Sequence, residues 1–406
     1  MLILEARDRV GGRILTWRPR AWRVPVELGA QFVHGGSPAL LRALKRARVK
    51  TGKAGTGMWW ADHARLQSLP DFWERVREVA DRIPAGSRGW SFDAFLARCG
   101  SGLAHDDRER TRHYVQSFNA APADHLSAFS LRADHAGADN EDRSVLNGYD
   151  RLVRSLRDRW PPRRVHLRLG AQVRVVHWRR GDVRIELAKE SDRGVVPRAP
   201  AVILTLPLGV LKAGTVSFDP PLRAKDALIA RLGWGNVQRI VLRLRSDFWT
   251  RSWVPGPLRA RSGRAFGFVN APAQPVPVWW APRPPAPVLV GWAGGPAADR
   301  LQGRSRAKLL AAALTSLAGI FGCPRKVLAA GVVDWAWHDW SADPFSRGAY
   351  SFPAAGAEDA PQRLGAPQAA TLYFAGEATA EALGTVHGAY ESGLRAAREF
   401  LRAHPR

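Results

Sequence analysis

Met1-Leu2-Ile3-Leu4-Glu5-Ala6-Arg7-Asp8-Arg9-Val10-Gly11-Gly12-Arg13 opens the chain. It reads as a short buried strand ending in a carboxylate, then a paired-glycine turn and an arginine. In a dinucleotide-binding βαβ unit, an acidic residue at the tip of the second strand grips the ribose hydroxyls. It lies roughly 20 residues after the glycine-rich loop that cradles the pyrophosphate. Counting back from Glu5 puts that loop ahead of Met1. The expectation is a nucleotide site whose second half is present and whose first strand and glycine loop are not in this sequence.

A second block, Val26-Glu27-Leu28-Gly29-Ala30-Gln31-Phe32-Val33-His34-Gly35, is a glycine-containing turn. A third lies near the other end. Leu372-Tyr373-Phe374-Ala375-Gly376-Glu377-Ala378-Thr379 reads as a buried strand entering a glycine turn. Gly384-Thr385-Val386-His387-Gly388-Ala389-Tyr390-Glu391-Ser392-Gly393-Leu394 starts a helix. Ala389, Leu394, Ala397, Phe400 and Leu401 recur at helical spacing and predict its packed face. Gly388 and Gly393 predict close packing.

Together these blocks resemble the flavin-containing amine oxidase family, which includes monoamine oxidases, polyamine and spermine oxidases and lysine-specific histone demethylases. The resemblance implies an α/β fold: a Rossmann-like FAD-binding domain, here lacking its first strand and glycine loop, beside an α+β substrate domain of mixed sheet and helices. It implies noncovalent FAD. Glu5, Gly11, Gly12, Arg13, Gly29, Ala30, Gln31, Val173, Gly376, Glu377, Thr385 and Val386 would bind the cofactor. Gly29, Ala30 and Gly35 would let backbone approach the flavin ring. Glu377 would contact its ribityl–phosphate region. The helix beginning near Thr385 would point its positive dipole end at the ring.

The expected chemistry is hydride transfer from the carbon next to an amine nitrogen to flavin N5. The products are an imine and, after reoxidation by molecular oxygen, hydrogen peroxide. The protein orients, dehydrates and tunes, while the cofactor carries the redox step. Three comparisons with the family concern catalysis. Tyr350, in Trp340-Ser341-Ala342-Asp343-Pro344-Phe345-Ser346-Arg347-Gly348-Ala349-Tyr350, falls where the family places an aromatic wall, and Ala349 where monoamine oxidases carry a flavin-bonding cysteine. Thr385 replaces the second aromatic wall of monoamine oxidases and, with His34, resembles the spermine-oxidase type. Arg239, in the stretch Gly233 to Phe248-Trp249, stands where the family commonly carries a lysine that holds a water against flavin N5. Arginine keeps the charge but is planar and effectively never deprotonated. It either holds that water or fills its place.

Composition frames this. A chain of 406 residues with 46% hydrophobic content buries a large core and predicts two domains. The discontinuous assignment is 1–55, 146–221 and 346–406 for FAD, and 56–145 with 222–345 for substrate. The 56–145 stretch reads as polar and helix-rich. Strands are expected at 173–178, 183–187 and 202–206, and Ile240, Leu242 and Leu244 predict a half-buried strand. Residues 271–287, rich in Pro and Trp, read as a loop. Helices are expected from Pro38, with Ser37 as cap, and over 308–321. Aliphatic runs such as 201–206 are too short to span a bilayer. Cys99 and Cys323 show no metal or redox spacing, so the default is a reduced cytoplasmic setting without metal. The formal net charge of +25 is spread, overwhelmingly as arginine, along the chain without a nucleic-acid motif. It predicts only nonspecific polyanion binding at low salt.

The expected function is oxidation of a small-molecule amine, with polyamine-like substrates favoured. The alternatives are an L-amino acid or other amine oxidase, and a non-catalytic fragment or misassigned start. Under the last, the chain as written binds FAD poorly or misfolds. Neither substrate identity nor oligomeric state is legible.

Overall fold

A computed structural model describes the chain except residues 36, 55–56, 63–64, 137–141, 189–196, 247–266, 283–285 and 406. Phe248-Trp249 therefore lie outside the described residues.

The opening strand, Leu2–Leu4, pairs parallel with His166–Arg168. Val202–Leu204 pairs parallel with Leu372–Phe374. Beside them Val173–Arg179 pairs antiparallel with Asp182–Leu187 and parallel with Ser217–Asp219. Val176, Val183, Leu187, Leu204, Leu372 and Phe374 bury a common core, with Leu4 packed against it. Parallel pairing between segments so far apart in sequence needs crossover connections, the hallmark of an α/β layer.

The larger sheet has seven strands in the order Val332–Trp337, Val237–Leu244, Val288–Gly294, Val278–Trp280, Phe268–Asn270, Met58–Asp62 and Arg65–Ser68. Met58–Trp60 runs parallel to Phe268–Asn270. The segment expected to be helix-rich thus also supplies two strands to this sheet, alongside helices such as Phe72–Asp81 and His105–Asn119.

Two expectations about this sheet are corrected. Val237–Leu244 is buried on both faces rather than half-buried: only Arg243 is partly open. Ile240 and Leu242 face the core built with helix Arg306–Phe321, while Val241 packs with Trp280 and Val290 on the opposite side. Residues 271–287 are not simply a loop, because Val278–Trp280 is a buried central strand. Its three residues are too few for alternation to show. The prolines flank it, where no ladder hydrogen bond is lost.

The C-terminal helix runs Val386–Ala403, but its buried stripe is Gly388, Ser392 and Ala396. Leu394 and Leu401 are exposed. Small residues at i, i+4 and i+8 let the helix approach its neighbours closely. A Cβ at Gly388 would lie 2.1 Å from the Ala382 carbonyl oxygen, whereas Gly393 has open space around its position. Close packing therefore rests on Gly388 and not on Gly393. The N-terminal helix Pro38–Arg46 is as expected, with Ser37 Oγ accepting from Leu40 N. Among the described residues no single helix is long and apolar enough to cross a membrane.

Leu242→Ala should cost about 2–5 kcal/mol, because it leaves a cavity in a fully buried layer. Val333→Ala, at an exposed position on the edge strand of the same sheet, should change stability by less than about 0.5 kcal/mol. Urea unfolding of both variants checks the contrast.

Candidate active site

One cavity of about 2130 Å³ joins the two layers. A single drug-sized ligand occupies roughly 300–1,000 Å³, so this space suits a dinucleotide and a substrate together. Every cofactor-site residue expected from the sequence lines it.

At one end, Glu5 follows the parallel strand. One carboxylate oxygen accepts the Arg7 backbone N–H at 2.8 Å, and the side chain lines the cavity. Arg7 itself turns away to make a bidentate pair with Asp343, at 2.7 and 2.8 Å. His338 joins Asp343 at 2.9 Å. This clamp ties the end of the first strand to the loop that leads to Tyr350. Burial acts to raise the Asp343 pKa, but hydrogen bonds from His338 and Arg7 and the Arg7 charge outweigh it. The carboxyl is held well below its ordinary range.

The paired glycines adopt positive φ, +104° at Gly11 and +55° at Gly12. That turn delivers Arg13 to the centre of the cavity. Arg13 Nη1 donates to the Ala349 carbonyl at 2.8 Å and to Glu377 at 2.9 Å. Glu377 is buried and takes further donors: Ser351 Oγ, Ser351 N at 3.3 Å and Gly384 N at 2.8 Å. Expected as a direct cofactor contact, Glu377 lines the cavity with its carboxylate already engaged by these internal donors.

Gly29 lies against this arginine. A Cβ there would lie 1.9 Å from the Arg13 carbonyl oxygen, so only glycine fits. Ala30 N donates to the same oxygen at 3.2 Å. Val173 begins its strand at the cavity edge. Opposite, Gly376 sits at φ +118°. Thr385 is the N-cap of the long helix, its Oγ1 accepting from Gly388 N at 3.0 Å. The hydroxyl is thus occupied in capping, and Val386 and His387 bring the helix N-terminus to the cavity. Burial, and next the charge of His34, lowers the His387 pKa.

Tyr350 stands on the strand paired with Gly233–Gly235, directly under Gly384. Its hydroxyl donates to Phe118 O at 2.6 Å, and burial, then Glu377, drives its pKa up. His34 meets Asp142 at 3.0 Å and lies edge-on to Phe118 at 5.4 Å. Arg239 is almost fully buried. Its Nη1 donates to Gly29 O at 3.1 Å, its Nη2 to Gln31 Oε1, and its guanidinium carbon lies 5.6 Å from the Trp280 ring centroid.

The structure adds a chamber that the sequence reading missed. Phe32, Phe118, Phe268, Trp280 and Trp292 line it. Phe268 and Trp280 centroids are 5.3 Å apart, and Phe32 and Trp280 are 5.8 Å apart. Tryptophans at 60, 280 and 292 were visible as residues, but the pairing that puts them on one face is long-range.

Comparison with known proteins agrees with this architecture. The family model for flavin-containing amine oxidoreductases matches residues 1–401. Polyamine oxidase 4 of Oryza sativa subsp. japonica is 27% identical, over 98% of this chain and 82% of its own. Lysine-specific histone demethylase 1 homolog 2 of Arabidopsis thaliana is 27% identical, over 99% of this chain and 55% of its own. Among solved structures, a putrescine oxidase superposes with a TM-score of 0.79 at 20% identity, over 98% of this chain and 93% of its own. A cyclohexylamine oxidase from Brevibacterium oxydans superposes with 0.78 at 17%, over 100% and 94%.

The protein is a flavin-dependent enzyme that oxidises amines. It belongs to the flavin-containing amine oxidoreductase family, and its cofactor is FAD. The residues present suit the group: Glu5 brings a carboxylate from a parallel-strand tip into the cavity, and Gly12 and Gly376, both at positive φ with open space where a Cβ would stand, line the same cavity. Ala349 offers no thiol for a covalent link.

The Asp343 clamp has a defined pH signature. Its carboxyl is depressed in the folded state, so its stabilisation is complete above the unfolded pKa of about 4 and is lost as pH falls further. Asp343→Asn should cost about 3 kcal/mol at neutral pH and flatten the acid limb of stability below about pH 4. Urea midpoints measured across that range check this.

Proposed function

We propose that the chain oxidises a small-molecule amine to an imine, with oxygen as the electron acceptor and hydrogen peroxide as the second product. The observation that carries this reading is the continuity of the cavity. It runs from Glu5, at a parallel-strand tip, to an aromatic chamber walled by Trp280 and Tyr350. When bound, FAD supplies the two-electron acceptor for the hydride leaving the amine's α-carbon.

The protein's own residues do the rest. Glu5 offers an acceptor for ribose hydroxyls. The Gly11-Gly12 turn, Gly29, Ala30 and Val173 let the cofactor lie close to backbone. The N-terminus of the helix Val386–Ala403 favours negative charge next to it. Phe32, Phe118, Tyr350, Trp280 and Trp292 exclude water. A dry aromatic chamber disfavours the ammonium form and keeps the amine neutral, the form that gives up hydride. Tyr350, with its hydroxyl engaged by Phe118 O, presents a fixed ring face rather than an acid or base.

A polyamine-like substrate is supported by the relatives bearing that name and by Thr385 and His34. A second reading, an amino acid or another amine with an oxygen acceptor, is favoured by Arg239. It places a buried cation on the chamber wall, where a polycation would be repelled.

A peroxidase-coupled assay with spermine, spermidine, N-acetylated polyamines, tyramine and amino acids tests the proposal, using protein supplied with FAD. Peroxide from at least one of these amines, matched by anaerobic bleaching of the flavin, is the expected outcome. A flavin that none of them reduces would overturn it.

A further inference from the structure

Six rings that line the cavity form an unbroken series from solvent to the inner chamber. Trp73, on the helix Phe72–Asp81, meets Tyr114 edge-on at 5.2 Å. Tyr114 stacks at 5.4 Å on Phe118, one turn further along the helix His105–Asn119. Phe118 meets His34 at 5.4 Å, His34 meets Phe32 at 5.9 Å, and Phe32 meets Trp280 at 5.8 Å. Each step falls within the range of favourable aromatic pairs.

The outer end of the series is open. Trp73 is 44% exposed and Phe118 is 42% exposed. Trp17 is the other exposed Phe or Trp among the described residues, and it packs edge-on against Trp22 away from the cavity. Two exposed rings joined through Tyr114 on one cavity wall make a contiguous apolar surface, and such surfaces mark ligand grooves. The strip is fixed from beneath. Phe72 and Val76 pack with Tyr114, and Phe118 O accepts the Tyr350 hydroxyl at 2.6 Å.

Charge limits what can lie there. Arg77, one turn after Trp73 on the same helix, lines the cavity, whereas Glu74, Glu78 and Asp81 of that helix do not. At the inner end Asp142 is already paired with His34. Aromatic faces attract cations, but a guanidinium beside the outer ring opposes a second ammonium.

We propose that the strip from Trp73 to His34 binds the tail of the amine substrate, and that this tail is long, apolar and uncharged. The substrate class is then an amine on an extended alkyl or arylalkyl chain, in place of a polyamine. The amine end reaches the inner chamber while the tail lies along Phe118, Tyr114 and Trp73. This proposal rests on the amine-oxidation reading.

The test uses the FAD-loaded full chain. Calorimetry gives the Kd of octanol and of butanol, which carry the tail without a reacting amine. Anaerobic flavin reduction gives the half-saturating concentrations of octylamine, butylamine and octamethylenediamine, the last with a second ammonium at the far end of the chain. Each buried methylene tightens binding by up to about fourfold, so octanol should bind more than tenfold tighter than butanol. Octylamine should half-saturate below both other amines. Trp73→Ala should weaken octanol several-fold and raise the octylamine requirement far more than the butylamine one, and Trp73→Phe should restore most of the loss. Arg77→Glu should shift the preference towards octamethylenediamine. Both side chains are exposed, so the variants fold. Octanol affinity that Trp73→Ala leaves unchanged overturns the tail site. A wild-type preference for the diamine, or a preference that Arg77→Glu leaves unaltered, overturns the uncharged tail. If amines reduce the flavin but octanol binds no tighter than butanol, the strip fails and the amine-oxidation reading stands. If octanol binds through Trp73 but no amine reduces the flavin, the apolar site stands and the amine-oxidation reading fails.

Discussion

The site depends on the buried carboxylate of Glu377. It gathers Arg13 from the first turn of the chain, Ser351 from the strand that carries Tyr350, and Gly384 from the turn before the last helix. These groups come from three separate parts of the sequence. A buried carboxylate is tolerable only when its lone pairs are taken up by donors and its charge is opposed. Arg13 provides the opposing charge, and its second hydrogen bond, to Ala349 O, fixes the backbone next to Tyr350. Removing Arg13 would leave Glu377 as an uncompensated buried charge.

From that hub the rest of the geometry follows. Gly29 must be glycine because Arg13 O occupies the space of its Cβ. Gly29 O in turn holds Arg239, which links the nucleotide-side turn to the large sheet. A second, independent tie is the Arg7–Asp343 pair, which fastens the first strand to the loop before Tyr350. The chamber is therefore framed by charged contacts between segments distant in sequence, and walled by Phe268, Trp280 and Trp292 of the large sheet together with Phe32, Phe118 and Tyr350 from other elements.

The legible parts of the fold were local. The strand and turn of residues 2–13, the Ser37 cap, the strand at 372–374 and the helix after Thr385 each carry their signal in consecutive residues. The buried strand Val278–Trp280 was not legible, because three residues between prolines show no period. The stripe of the last helix was misassigned to Leu394 and Leu401. Close approach selects small residues, and a hydrophobicity pattern cannot see that Gly388, Ser392 and Ala396 face inward. At the site, residue identities were legible while their partnerships were not. Glu377 and Thr385 were placed at the cofactor, but the carboxylate is engaged by a hub and the hydroxyl by a helix cap. Asp142, which pairs with His34, and the unsatisfied donors of Arg239 and Trp280 arise from long-range packing alone.

The most direct measurement is the FAD affinity of Glu377→Gln, titrated by quenching of FAD fluorescence, with far-UV circular dichroism as the check on folding. If the hub organises the site, the variant remains folded and binds FAD more than about tenfold more weakly than wild type, a loss exceeding about 1.4 kcal/mol. A folded variant with unchanged FAD affinity would contradict the account.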